Sequence, residues 1–175
     1  MSLVFDCTVL IDLREGGIMA SLKAFPPPVF VCDVTVGELE KRSKKRWKRL
    51  LRGIGLKIRE VPSDNMIRVL ELAERYSRPS RADLFALALA EHLGAVLVTG
   101  DRDLRRAAKE EGCPVHGTLW LLDEMVSSGV LEGPAATEAV DAMLTGDRRL
   151  PAQLASKYQK AWRRGRRLGG DDERQ

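Results

Sequence analysis

The stretch Ala95-Val96-Leu97-Val98-Thr99-Gly100-Asp101-Arg102-Asp103-Leu104 decides the fold. Ala95 to Val98 form an apolar run between Gly94 and Gly100 that reads as a buried parallel strand. Asp101 then stands where the strand gives way to a helix. The chain start repeats this pattern, with Leu3-Val4-Phe5 ending at Asp6. Two carboxylates are therefore expected at one edge of one sheet, and in open α/β sheets ligands bind outside the carboxyl ends of the strands.

Working outward, Val29-Phe30-Val31-Cys32 is a third strand and ends at Asp33. Leu56 to Val61 alternates apolar and polar residues, as a half-exposed edge strand does, and a last short strand is expected at Pro114-Val115-His116. Helices fill the intervals. One covers Thr8 to Leu13 and stops at Gly16-Gly17, and a short one from Ile18 to Leu22 stops before Pro26-Pro27-Pro28. A longer helix, capped by Asp33 or Thr35, is expected to run through Glu38, Leu39 and Trp47 to about Leu51. Pro62-Ser63-Asp64 opens another, with Met66, Ile67, Val69, Leu70 and Ala73 as its apolar stripe. Leu84 to Ala90 is so uniformly apolar that its helix must be covered on most sides. A charged helix follows from Arg102 to Glu110, then an amphipathic one from Gly117-Thr118 carrying Leu119, Leu122, Met125 and Val126. Strands alternating with helices favour a parallel sheet covered on both faces. Beyond Gly129, apolar-periodic pieces from Ala135 to Leu144 and from Pro151 to about Arg164 form a helical extension. The expected division is a domain over 1–128, an extension over 129–168 packed on it, and a polar tail over 169–175.

The 175 residues are 44% hydrophobic and 31% charged, the composition of a single globular domain. The apolar runs fall far short of the ~18 residues of a membrane span, and no secretory leader pattern opens the sequence, so a cytoplasmic location is expected. Cys7, Cys32 and Cys113 are odd in number and widely spaced, which argues against a disulfide framework and a thiolate zinc site. With only His92 and His116 available as imidazoles, any metal must be held by oxygen. That favours magnesium or manganese over zinc.

The net charge of +4 hides an asymmetry. Residues 41–52 hold eight Lys or Arg and residues 157–167 hold six, with no acid in either stretch, leaving the rest of the chain at −10. An acidic body with two basic patches suits a polyanionic partner. Within the first patch, Lys44, Lys45, Lys48 and Arg49 are the candidate nucleic-acid contacts, and Trp47 is expected to pack inward.

No nucleophile elbow, phosphate-binding loop or dinucleotide fingerprint is present, so chemistry rests on the acids. Asp6 and Asp101 each end a buried strand, and each also reads as an ordinary helix N-cap. Glu38 sits little more than a turn after Asp33, with Glu40 as its competitor; their faces differ and spacing does not choose. Ser80-x-x-Asp83 is nearly a capping box. All four acids nevertheless fall near the first turns of segments that start on one side of a parallel sheet. Carboxylates gathered there repel one another and call for a cation.

Together, Val4-Phe5-Asp6-Cys7-Thr8-Val9-Leu10-Ile11, Thr35-Val36-Gly37-Glu38-Leu39, Ala82-Asp83 with the following apolar helix, and Val98-Thr99-Gly100-Asp101-Arg102-Asp103-Leu104 resemble the PIN-domain ribonucleases, including their VapC-like toxins. Gly117-Thr118-Leu119 looks like the end of one bacterial and archaeal branch. The resemblance implies a three-layer α/β/α sandwich with a central, mainly parallel sheet. It also implies hydrolysis of RNA phosphodiester bonds with Mg²⁺ or Mn²⁺, an antitoxin partner and a homodimer. Asp6, Glu38, Asp83 and Asp101 match the family's four acids, Asp103 its supplementary ligand, and Thr8 and Thr99 hydroxyls near the site. Gly100 departs from the pattern, where a small polar residue is common. Two rivals remain: a non-catalytic RNA-binding or assembly module, and a haloacid-dehalogenase-like phosphatase, which wants a second Asp where Thr8 stands.

Overall fold

The computed structural model describes residues 1–43, 46–146 and 150–169. Five strands, β1 (Leu3–Phe5), β2 (Val29–Cys32), β3 (Lys57–Arg59), β4 (Val96–Val98) and β5 (Val115–His116), form one sheet in the order β3-β2-β1-β4-β5. Every pairing is parallel, with Leu3 opposite both Val29 and Val96, and Phe5 opposite both Val31 and Val98. β1 is the centre because it is the most apolar of the strands: Leu3, Val4 and Phe5 are all fully buried.

The helices are α1 (Cys7–Glu15), α2 (Asp33–Ser43), α3 (Trp47–Gly53), α4 (Met66–Arg75), α5 (Arg81–Leu93), α6 (Arg102–Glu110), α7 (Thr118–Ser127), α8 (Gly133–Thr145) and α9 (Ala152–Arg163). Alternation along the strands divides them into two layers. Leu3, Phe5, Val29, Val31 and Val98 face α1, α3, α7, α8 and α9. Val4, Cys32 and Leu97 face α4, α5 and α6. The three-layer α/β/α sandwich with a parallel central sheet is thus the observed architecture. α5 is buried from Leu84 through Ala90 because it lies against β1, β2 and β4 with α2, α4 and α6 around it. It ends at Gly94, whose φ of +56° is a left-handed cap that favours glycine.

Two expectations are corrected. The single helix from Asp33 to about Leu51 is two helices, the first starting at Asp33 itself. Ser43 Oγ donates to the Leu39 carbonyl and accepts from Trp47 Nε1, while Glu40 Oε1 accepts from the Lys48 backbone N–H at 3.0 Å. The side chains of α2 thus supply partners for the start of α3. The apolar stripe of α4 is only partly the one expected: Val69 faces inward as expected and is joined by Leu72, whereas Met66, Ile67, Leu70 and Ala73 are exposed. Arg68, adjacent to Ile67, is held in ion pairs with Glu91 of α5 and Glu111 after α6, which fixes the helix rotation.

The C-terminal helices share the core of the α1 side. Ala136, Ala139, Val140 and Met143 of α8 and Ala155, Tyr158 and Trp162 of α9 join the cluster of Leu10, Leu13 and Leu121. Asp123 of α7, 1% exposed, accepts from Trp162 Nε1 at 2.8 Å and from the Gly169 backbone N–H at 3.1 Å. Arg167 lies near the same carboxylate, 3.8 Å away. Trp47 packs inward as expected, with the Arg14 guanidinium 5.4 Å from its ring centre. No helix among the described residues is long and apolar enough to cross a membrane.

Candidate functional site

The strand order places a topological switch point at β1. The chain steps outward from β1 through β2 to β3, then returns to the other side of β1 as β4 and continues to β5. α1 leaves β1 into one layer and α6 leaves β4 into the other. The carboxyl ends of β1 and β4 therefore flank the crevice where this class of sheet binds ligands. Asp6 and Asp101 are the residues that close those two strands.

Asp6 caps α1 by accepting from the Val9 backbone N–H at 3.0 Å. The Thr8 hydroxyl lies 2.8 and 2.9 Å from its two oxygens, and the Thr99 hydroxyl donates to Oδ2. The residue is 1% exposed. Burial pushes its carboxyl up to about 7, against the opposing pull of these hydrogen bonds, and the negative charge of Asp83 raises it further. Asp101 caps α6 through the Leu104 N–H at 2.8 Å, while its own N–H donates to Thr99 Oγ1 at 2.9 Å. Thr99 therefore bridges the two strand-ending acids, donating to one and accepting from the backbone of the other. Thr8 makes a second bridge, since its Oγ1 also accepts from the Gly100 N–H at 2.7 Å. A Cβ at position 100 would stand 3.2 Å from Thr8 Oγ1, so Thr8 reaches the place where the family pattern sets a small polar side chain.

Asp83 completes a reciprocal capping box with Ser80: its N–H donates to Ser80 Oγ at 3.2 Å and its Oδ2 accepts from the Ser80 N–H at 2.8 Å. It also belongs to the acidic group. Burial raises its carboxyl, the Ser80 bonds oppose this, and the charges of Asp101 and Glu38 push it further up. Capping and clustering hold together here. Glu38 pairs with Arg42 one turn on, and its charge reaches Cys7, whose thiol is raised by burial first and then by Glu38, Asp6 and Asp83. Glu40 instead holds the start of α3. The structure thus separates the two glutamates that spacing leaves equivalent.

Other candidates fall elsewhere. Asp103 lies 3.7 Å from Arg78 and 3.9 Å from Arg106, so its ion-pair contacts are with arginines. Lys44 and Lys45 lie outside the described residues. Lys48 and Arg49 are exposed on α3, where Arg46, Arg49, Leu50, Gly53 and Ile54 line a shallow hollow. Sequence reasoning missed Asp12, 2% exposed on α1, which accepts from the Thr118 hydroxyl at 2.6 Å. Its place four residues after Thr8, on the same helix face, was the available signal.

Among the described residues no three His, Cys, Asp or Glu side chains form a ready-made metal cage. Magnesium does not require one, because it commonly binds through one or two carboxylates and fills its remaining positions with water and phosphate oxygen. Asp6 and Asp83, both desolvated and made harder to ionise by neighbouring acids, fit a hard dication that would relieve this repulsion.

The family model described as "DUF3368: PIN domain" matches residues 2–164. The chain belongs to this PIN-domain family. Among curated proteins, Ribonuclease VapC9 from Archaeoglobus fulgidus is 29% identical over 114 residues, covering 64% of this chain and 78% of that protein. The crystal structure of PAE2754 from Pyrobaculum aerophilum shares the fold, with a TM-score of 0.51 at 19% identity over 73% of this chain and 98% of that one. VapC20 of Mycobacterium tuberculosis, described as a sarcin-ricin loop cleaving toxin, aligns with a TM-score of 0.49 at 20% identity over 61% and 95% of the two chains.

Proposed function

We propose that this PIN-domain protein is a divalent-metal-dependent endoribonuclease. The observation that carries the reading is the pair of strand-ending acids at the switch point, Asp6 and Asp101, bridged by Thr99 and without an ion-pair partner among the described residues, with burial and the neighbouring acids raising Asp6 and Asp83. Asp6 and Asp101 are the proposed primary holders of Mg²⁺ or Mn²⁺, with Glu38 and Asp83 completing the site or orienting the attacking water and Asp103 as a peripheral contributor. The metal, when bound, polarises the scissile phosphate and makes water a better nucleophile. The chain's own work is positional. Thr99 and Thr8 fix the Asp6 carboxylate against the turn that carries Asp101. Exposed Lys48 and Arg49, with Lys44 and Lys45, are the proposed phosphate contacts.

The family and the VapC9 likeness support a finer reading, the toxin of a toxin-antitoxin pair acting in the cytoplasm, paired with an antitoxin protein and itself a homodimer. Growth arrest on expression, relieved by a co-expressed partner, is its test. The phosphatase rival loses ground, because Thr8, where that chemistry wants an aspartate, is tied to Asp6 and Gly100. The deciding experiment incubates the purified chain with a panel of structured and single-stranded RNAs. Cleavage is expected with Mg²⁺ or Mn²⁺ and none with EDTA. Metal-dependent thermal stabilisation without cleavage of any RNA would instead favour a non-catalytic RNA-binding module.

A further inference from the structure

Asp12 is a buried acid that the proposed chemistry does not use. It leaves α1 on the same face as Thr8, one turn later, and is 2% exposed. The hydroxyl of Thr118, itself 2% exposed at the first residue of α7, donates to Asp12 Oδ2 at 2.6 Å. The same oxygen bounds the turn after β4: a Cβ on Gly100 would stand 3.6 Å from Asp12 Oδ2 and 3.2 Å from Thr8 Oγ1. Three elements therefore meet at one carboxylate. They are α1, which begins at Asp6; the Gly100 turn, which leads to Asp101; and the start of α7. An apolar residue would also fill space between α1 and α7, without the desolvation penalty of a buried acid. What the acid supplies is a fixed acceptor that sets how far α1 stands from the turn.

We infer that Asp12, held by Thr118, is a positioning residue that sets the spacing between the Thr8 face of α1 and the Gly100-Asp101 turn, and thereby the separation of Asp6 and Asp101. It touches neither substrate nor metal and acts through Thr8 and Gly100. The Gly100 N–H donates to Thr8 Oγ1, and Thr8 Oγ1 donates to Asp6, so a shift at Asp12 reaches both strand-ending acids. The inference rests on the proposed metal role of those acids.

The test needs no RNA. The melting temperature of the full chain is followed against Mn²⁺ concentration for wild type, Thr118→Val and Thr118→Ser. Valine keeps the volume and removes the donor, and serine restores it. The midpoint of Mn²⁺ binding, obtained by fitting the rise to one-site linkage, is expected to increase about tenfold in Thr118→Val, as for loss of a group that orients a ligand, and to return near the wild-type value in Thr118→Ser. An unchanged midpoint in Thr118→Val, in a wild type that responds to Mn²⁺, overturns the positioning role alone. A wild type without any response overturns the metal reading and the positioning role with it. Should the valine variant fail to fold, Asp12→Leu, which keeps the bulk and removes the acceptor, decides on the same measurement: a raised midpoint supports the role and an unchanged one overturns it.

Discussion

Helices α5 and α6 each carry an acid at both ends, and the two ends are opposites. At their N-termini stand Asp83 and Asp101, beside Asp6. At their far ends, about 12–15 Å away by helical rise, stand Glu91 and Glu111. Arg68 donates to both of the latter, and Arg75 and the Tyr76 hydroxyl also donate to Glu111, each at 2.6 Å. Hydrogen bonds from Tyr76 and Arg68 hold the Glu111 carboxyl down at about 2, whereas burial drives Asp6 up to about 7. The same residue chemistry on the same scaffold thus serves cohesion where cations answer it and leaves a demand for charge where, among the described residues, no cation pairs with Asp6, Asp83 or Asp101. Strongly displaced carboxyls on their own do not mark function. The direction of displacement, and whether the structure itself supplies the counter-charge, separate the two ends.

The largest expected effect breaks the site end. Asp6→Asn should lower metal-dependent RNA cleavage at least about a hundredfold in single-turnover assays, while the metal-free melting temperature at neutral pH holds or rises. The sign follows from linkage: a folded pKa above the unfolded 3.8 gives stability that is fully present below 3.8 and lost as pH rises through about 7. The metal-free variant should therefore lose the wild type's decline over that window. A variant that still cleaves at the wild-type rate would remove Asp6 from the site.

The next breaks the cohesive end. Glu111→Gln should destabilise the fold by about 2 kcal/mol in urea titrations, the scale of losing hydrogen bonds to charged groups, with cleavage unchanged. Here the sign is reversed. The folded value of about 2 lies below the usual 4.5, so the stability is present above 4.5 and lost as pH falls toward 2. Identical acid limbs in wild type and variant would show that the network contributes nothing.

The smallest effect lies outside both ends. Lys48→Ala with Arg49→Ala should weaken RNA binding several-fold and flatten the slope of log affinity against log salt by about two. An unchanged slope would exclude these side chains as phosphate contacts.

The sheet was legible because the inner strands are short apolar runs stopped by a turn or a carboxylate, as at Leu3-Val4-Phe5-Asp6, and the edge strand at Lys57–Arg59 alternates apolar and polar residues. The two carboxylates at one edge followed from that pattern. Strand order, which places β1 at the switch point, did not, since pairing among parallel strands leaves no local trace. The break between α2 and α3 was hidden for a similar reason: Ser43 and Glu40 act across the break, and a helical period does not register it. On α4 two apolar registers compete. Met66, Ile67 and Leu70 lose to Val69 and Leu72 because Arg68 must reach Glu91 and Glu111, residues 23 and 43 positions away. Glu38 and Glu40 stand on different faces of α2, and what lies opposite each face, Arg42 on the same helix for one and the start of α3 for the other, is what separates them.

The Asp123 carboxylate faces Trp162, Gly169 and Arg167, all from the far end of the described chain. A version cut after α7 would retain this acid while losing those three neighbours, and would also bare the apolar flanks that α8 and α9 cover. A fragment cut there is therefore expected to collect in inclusion bodies, whereas one extending through residue 169 is expected to stay in solution.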